Sequence, residues 1–260
     1  MAGRGKRVAT VAALACLLVV SLAHAELTER GDLFIRFDGG IAPKSLPRHA
    51  RAAISVRVAG TIRTLSGARP PALRFISIAI NRGGSIDTKG LPVCRKSQLQ
   101  ATTRKQAMAA CGGALVGGGR YAGAISLPDQ NAFPLHGRIL AFNAIVEGQR
   151  AILAHVFGND PVPTTRIVTF KIRRGSGAFG TVLTAALPAS LNRYGYMKEI
   201  KLVLHRSFVY RGQRRSYIGA ECAAPAGLRV GIFRFARVSM TFSDQRKLSS
   251  TLIRSCDVRE

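Results

Sequence analysis

The sequence has no tryptophan and five tyrosines in 260 residues, and its 13 acids are outnumbered by 39 lysines and arginines. Sugar-binding platforms stack pyranose rings on aromatic side chains, so the first shortage argues against a lectin or a glycosidase. The second thins out the paired carboxylates that glycoside hydrolysis needs. Asp32, Asp38, Asp87, Asp129 and Glu147 are scattered along the chain, none in a distinguishing context. Motifs for other chemistries are missing too. No C-x-x-C spacing occurs, and no histidine lies near the later cysteines, which argues against zinc. A G-x-S-x-G elbow, an H-E-x-x-H pair and a D-x-[DN]-x-[DN]-G calcium loop are absent. The stretch Gly175 to Gly180, GSGAFG, does match G-x-G-x-x-G. A dinucleotide site needs a helix next, however, and Thr181-Val182-Leu183-Thr184 reads as strand. Gly117-Gly118-Gly119-Arg120 lacks the G-K-[ST] of a P-loop and reads as a flexible connection from helix to strand. No cofactor, metal or nucleotide is expected.

Long apolar runs are also scarce, with one exception at the start. Arg4, Lys6 and Arg7 precede an apolar stretch from Val8 to Leu22, and Ala23-His24-Ala25 forms an A-x-A cleavage site before Glu26. The uninterrupted core, Val11 to Val20, falls well short of the ~20 residues that cross a bilayer. Residues 1–25 therefore read as a secretory signal peptide, with 26–260 as the exported chain. Cys16 is a poor lipid anchor, because Leu17 to Val20 continue the apolar run beyond it. No later segment is apolar enough to span a membrane.

Export makes the remaining four cysteines, Cys94, Cys111, Cys222 and Cys256, a disulfide set, since the compartments reached are oxidising. Three pairings are possible. Cys94 with Cys111 and Cys222 with Cys256 is the expected one, because each pair closes a single local segment.

What the chain has in abundance is positive charge. The formal net charge is +26; the signal carries three cations and no acid, so +23 remains after cleavage. Such a balance favours polyanionic partners and discourages self-association. For an exported protein the candidates are anionic cell-wall polymers, lipid headgroups, extracellular polysaccharide and released nucleic acid, with anionic cell-wall or extracellular polymers as the expected partners. Thirty of the 39 basic residues are arginine, and Ala and Gly are also frequent, so GC-rich coding accounts for part of the bias. The densest local group is Arg206, Arg211, Arg214 and Arg215, flanked by Phe208, Tyr210 and Tyr217. It is a candidate polyanion site, though such a run also suits a solvated hairpin tip.

Period-two alternation recurs through the chain, as in Ile54 to Arg63, and predicts strands that bury one face. Further strands read at Leu33 to Phe37, Leu73 to Asn81, Ala122 to Leu127, Gly137 to Val146, Ala151 to Phe157 and Ile167 to Arg173. Others read at Thr181 to Leu187, Glu199 to Tyr210, Ser216 to Cys222, Phe233 to Phe242 and Ser250 to Val258. Glycine, proline, asparagine or aspartate marks nearly every junction. About a dozen short strands of this kind predict an all-β fold, an antiparallel β-sandwich or barrel-like body. One short helix is expected over 103–111, where Thr103 to Gln106 fits a capping box and Gly112-Gly113 ends the run. A single domain is expected over 26–260, with Pro161-Val162-Pro163 as the best candidate for a subdivision.

The run GDLFIRFDGGIAPKSLPRH, the segment RFISIAINRGG followed by GLPVC, the strands ILAFNA and AILAHVFG, and FGTVLTAALP together resemble a family of secreted bacterial proteins with no assigned activity. The resemblance covers nearly all of the exported chain. It implies export and the four cysteines, and brings no catalytic residue with it.

Among the few histidines, His155 stands out, inside Ile152 to Phe157 and close to Asn159 and Asp160. A nearby carboxylate can orient an imidazole as a general base, whereas a histidine in an apolar strand is more commonly a satisfied core residue. The leading expectation is a non-catalytic, disulfide-bonded binder of anionic polymers. A hydrolase centred on His155 and a nearby carboxylate is the alternative. The third reading is a structural or assembly subunit that adds strands to a partner.

Overall fold

The computed structural model describes residues 25–158, 163–187 and 194–259. Residues 1–24 of the proposed 1–25 signal, and Asn159 to Val162, lie outside them.

The strands follow the alternation. The chain opens with Glu26–Arg30 (β1), Leu33–Ala42 (β2), Ser45–Pro47 (β3) and Ala52–Ala53 (β4). Ser55–Thr64 (β5), Leu73–Asn81 (β6) and Gly84–Ile86 (β7) precede the helix Arg104–Cys111 (α1). Next come Leu115–Ile125 (β8), Phe133–Val146 (β9), Gln149–Gly158 (β10), Thr164–Arg174 (β11) and Phe179–Ala186 (β12). The last part holds Gly195–Leu204 (β13), Ser207–Tyr210 (β14), Gln213–Ser216 (β15), Ile218–Ala220 (β16), Val230–Phe242 (β17) and Lys247–Arg259 (β18).

Thirteen strands form one sheet in the order β1-β2-β5-β13-β8-β9-β10-β11-β12-β6-β17-β18-β3. Neighbours are antiparallel apart from β3, which runs parallel to β18. The expected all-β fold thus forms in its barrel-like version, a single sheet curled until β1 and β2 lie against β18. A small sheet, β4-β16-β7, and the β14–β15 hairpin complete the strands.

Alternation explains where the core sits. Inward residues such as Val116, Ala141, Ile152 and Leu183 meet Ile218, Ala220 and the fully buried Tyr217, so the small sheet packs into the curl. Leu33, Ile35 and Phe37 of β2 pack on Phe235, Val238, Met240 and Leu252, joining the two ends of the sheet. The opposite faces of β9 and β10 are apolar as well. Leu140, Phe142, Ala144, Ala151 and Leu153 lie beneath Ala107 and Cys111 of α1.

That helix has only two turns and needs outside support. Both halves of its capping box form: the Gln106 amide donates to Thr103 Oγ1, and the Thr103 amide donates to Gln106 Oε1. The Cys94–Cys111 disulfide closes the segment, and Cys222–Cys256 ties the chain before β17 to β18. Both bridges are the local ones.

Three readings change. Glu199 to Tyr210 is two strands, because the chain leaves the sheet at His205 and Arg206; the His205 amide donates to Val116 and the Arg206 carbonyl accepts from Tyr217. The glycines at 117–119 are not a connector but part of β8. A Cβ on Gly119 would lie 2.0 Å from the Lys201 carbonyl oxygen, and one on Gly117 2.4 Å from that of Val203, so β8 packs on β13 where only glycine fits. The strands β1, β3, β4 and β7 carry too few apolar residues to show a pattern. Around the suggested subdivision, β10 and β11 are hydrogen-bonded neighbours in the same sheet.

Candidate functional site

His155 lies on the outward side of β10 with Leu153, beneath the loop that leads into α1, and it is fully buried. Its Nε2 lies 3.0 Å from the Thr102 carbonyl oxygen and 3.1 Å from Thr102 Oγ1. A carbonyl only accepts, so Nε2 carries a proton and donates to it. Burial pushes its pKa below the ordinary value, opposed by the hydrogen bond to the Thr102 backbone. Phe157 stacks nearby, and Nδ1 has no partner. Asp160, the carboxylate weighed as its orienter, is outside the described residues. This environment fits a ring that fastens the α1 segment to the sheet.

The acids are dispersed as the sequence suggested. Asp32 pairs with Arg246 at 3.0 Å, Asp38 with Arg254 at 3.0 Å, Asp87 with Arg215 at 2.7 Å and Glu147 with Lys171 at 2.7 Å. Arg246 holds the Asp32 carboxyl below its usual range, as Lys171 does for Glu147. Each of these four carboxylates therefore faces a cation, and Asp32 shares Arg246 with Asp244.

The arginine group splits. Arg211 takes the tip of the β14–β15 hairpin, where its positive φ and that of Gly212 suit a tight turn. Its guanidinium lies over the Tyr210 ring. Arg215 is on the Phe208 side and is neutralised by Asp87, while Arg214 shares the other side with Val209. Arg206 precedes the hairpin with Nε buried and unpartnered.

A different cationic face is assembled by strand register. Lys201 of β13 stands opposite Arg120 of β8, and Arg120 stands opposite Arg138 of β9. Directly opposed side chains share a face, about 5 Å apart per strand. Two residues along, Arg57 of β5 opposes Val203, which opposes Gly118. These positions alternate with the buried Ile139 and the inward Gly119, so the row faces away from the core. Small residues at Gly118 and Ala59 leave a depression of about 400 Å³ bordered by Arg57, Arg120, Arg138 and Lys201. A second, of about 200 Å³, shares Arg120 and Lys201 and extends to His136 and Glu199.

Lys201 is paired with Glu199. Among the described residues no carboxylate pairs with Arg57, Arg120 or Arg138. Like charges held directly opposite each other are unfavourable, so an anion laid between them relieves repulsion as well as adding charge-assisted hydrogen bonds. His136 and Glu199 oppose Ala122 from either side, which puts roughly 10 Å between their backbones. They do not form an acid–base pair across one strand gap. No group of three or more metal-ligating side chains occurs among the described residues. None of their helices is long and apolar enough to cross a membrane.

Sequence reading missed this face because its cations come from four strands, of which only β8 and β9 follow one another in the chain. The local sign is no more than one or two basic residues in each strand. No family model, curated protein or solved structure matches the chain. The chemistry of the face follows from its own residues.

Proposed function

We propose that this chain is an exported, non-catalytic, single-domain protein that binds an anionic polymer along the groove of Arg57, Lys201, Arg120 and Arg138. The observation that carries the reading is the line of three cations across β13, β8 and β9, two of them without a carboxylate partner among the described residues. The two disulfides suit an oxidising compartment. The first strand begins at Glu26, directly after the A-x-A site. Guanidinium groups favour sulfate, phosphate and carboxylate through forked hydrogen bonds. Fluorescence polarisation with labelled heparin, as a sulfated polysaccharide probe, tests the reading. Arg120→Glu/Arg138→Glu should weaken binding by about a hundredfold and flatten its salt dependence, since fewer counterions are released. Arg211→Glu/Arg214→Glu at the hairpin should change affinity far less. Binding that survives the groove variant would refute the assignment.

A further inference from the structure

The outward face of β17 and β18, near the start of β17, carries a ridge of bare aliphatic side chains. Ile232 is 78% exposed, Leu228 55%, Ile253 52% and Val230 50%. Register puts Val230, Ile232 and Ile253 on one face, since Arg234 opposes Ile253 and Ile232 opposes Ser255. Loose loops can fold a leucine back onto the core, but this one is held. Arg48 donates to the carbonyls of Ala224, Pro225 and Leu228, and the Val258 amide donates to the Arg229 carbonyl. The Cys222–Cys256 disulfide fixes the base of the loop. Exposure of the ridge is therefore built in.

Among the described residues, three exposed arginines, Arg229, Arg234 and Arg259, lie around the ridge, against one exposed acid, Asp257, which stands opposite Val230. An aliphatic crest with a cationic border matches the interfacial zone of an anionic bilayer, where apolar side chains enter the acyl boundary and arginines meet phosphates. The same border opposes a second copy of this strongly basic chain. We infer that the Leu228–Val230–Ile232–Ile253 ridge docks the protein on the surface of an anionic lipid bilayer, independently of the polymer groove.

The absence of native tryptophan makes the test direct. In the full exported chain, Ile232→Trp supplies a single reporter for titration with phosphatidylglycerol/phosphatidylcholine vesicles, with and without brominated acyl chains. The expected result is a blue-shifted emission quenched by the brominated lipid. Unshifted, unquenched emission on vesicle-bound protein would overturn the inference, because it would mean charge adsorption alone. In flotation, Ile232→Ser/Ile253→Ser should bind these vesicles about tenfold or more weakly, by the loss of two buried aliphatic groups. It should keep heparin affinity, whereas Arg120→Glu/Arg138→Glu should lose heparin affinity and keep the quenching. Equal flotation of the ridge variant and the parent would also refute it. So would a dimer in light scattering that the ridge variant dissolves, which would make a second copy the occupant.

Discussion

Arg254, on β18, donates through Nε to the Gly39 carbonyl at 2.5 Å and through an Nη to Asp38 Oδ1 at 3.0 Å, on β2 at the other end of the sheet. Among the described residues, β1 runs along β2 as far as Phe37, opposite Glu26. Arg254→Ala should lower stability by about 1.5–3 kcal/mol, as expected for a hydrogen bond to a charged group in a partly buried place. Asp38→Asn should cost much less, because the carboxylate is half exposed. Urea unfolding of both variants checks the order.

Adjacent glycines in β8 should behave oppositely. Gly119→Ala places a methyl against the Lys201 carbonyl and should cost about 1–3 kcal/mol as an overpacking change. The nearest atom to a Cβ on Gly118 is 3.4 Å away, so Gly118→Ala should change stability by less than about 0.5 kcal/mol. Because Gly118 lines the groove, its variant should still weaken heparin binding. Thermal melts paired with the polarisation assay separate the two effects.

His155 predicts a pH dependence. Its pKa is lowered in the folded protein from an ordinary value near 6.5, so below that value the unfolded chain takes up a proton that the folded one refuses. Its contribution is complete above pH 6.5 and is lost as pH falls from there toward the lower folded value. The maximum slope is about 1.4 kcal/mol per pH unit. His155→Gln should remove that slope below about pH 6.5. An unchanged slope in denaturant titrations would mean that another group is responsible.

The two disulfides should differ in reach. Cys94→Ala/Cys111→Ala opens a local segment, and in the chain-entropy model the bridge is worth ~3 kcal/mol. Hydrogen exchange should rise first over residues 104–111 and at His155. Cys222→Ala/Cys256→Ala removes a link between the interior cluster and β18, so exchange should rise through β17 and β18 as well. Exchange mass spectrometry resolves these regions.

Most strands were legible because each keeps one face in the core, and alternation records that face within the strand. Leu73–Asn81 has the same ends in sequence and structure. The capping box at Thr103 and Gln106 was legible for a similar reason, since it is closed by residues three apart. Local closure also favoured the observed cysteine pairs. The short β1, with the sequence ELTER, was not legible, because what holds it is pairing with β2 rather than a pattern of its own.

By itself, then, the sequence determined which residues turn inward, where the helix starts and which cysteines can meet cheaply. Tertiary structure alone decided that β13 lies between β5 and β8, and with that the groove. Alternation fixes a side chain's face within its own strand, whereas the neighbour across the gap is set by pairing between segments far apart in the chain. The same pairing separates Gly119, crowded by a β13 carbonyl, from Gly118, open to the groove, and lines up Lys201, Arg120 and Arg138.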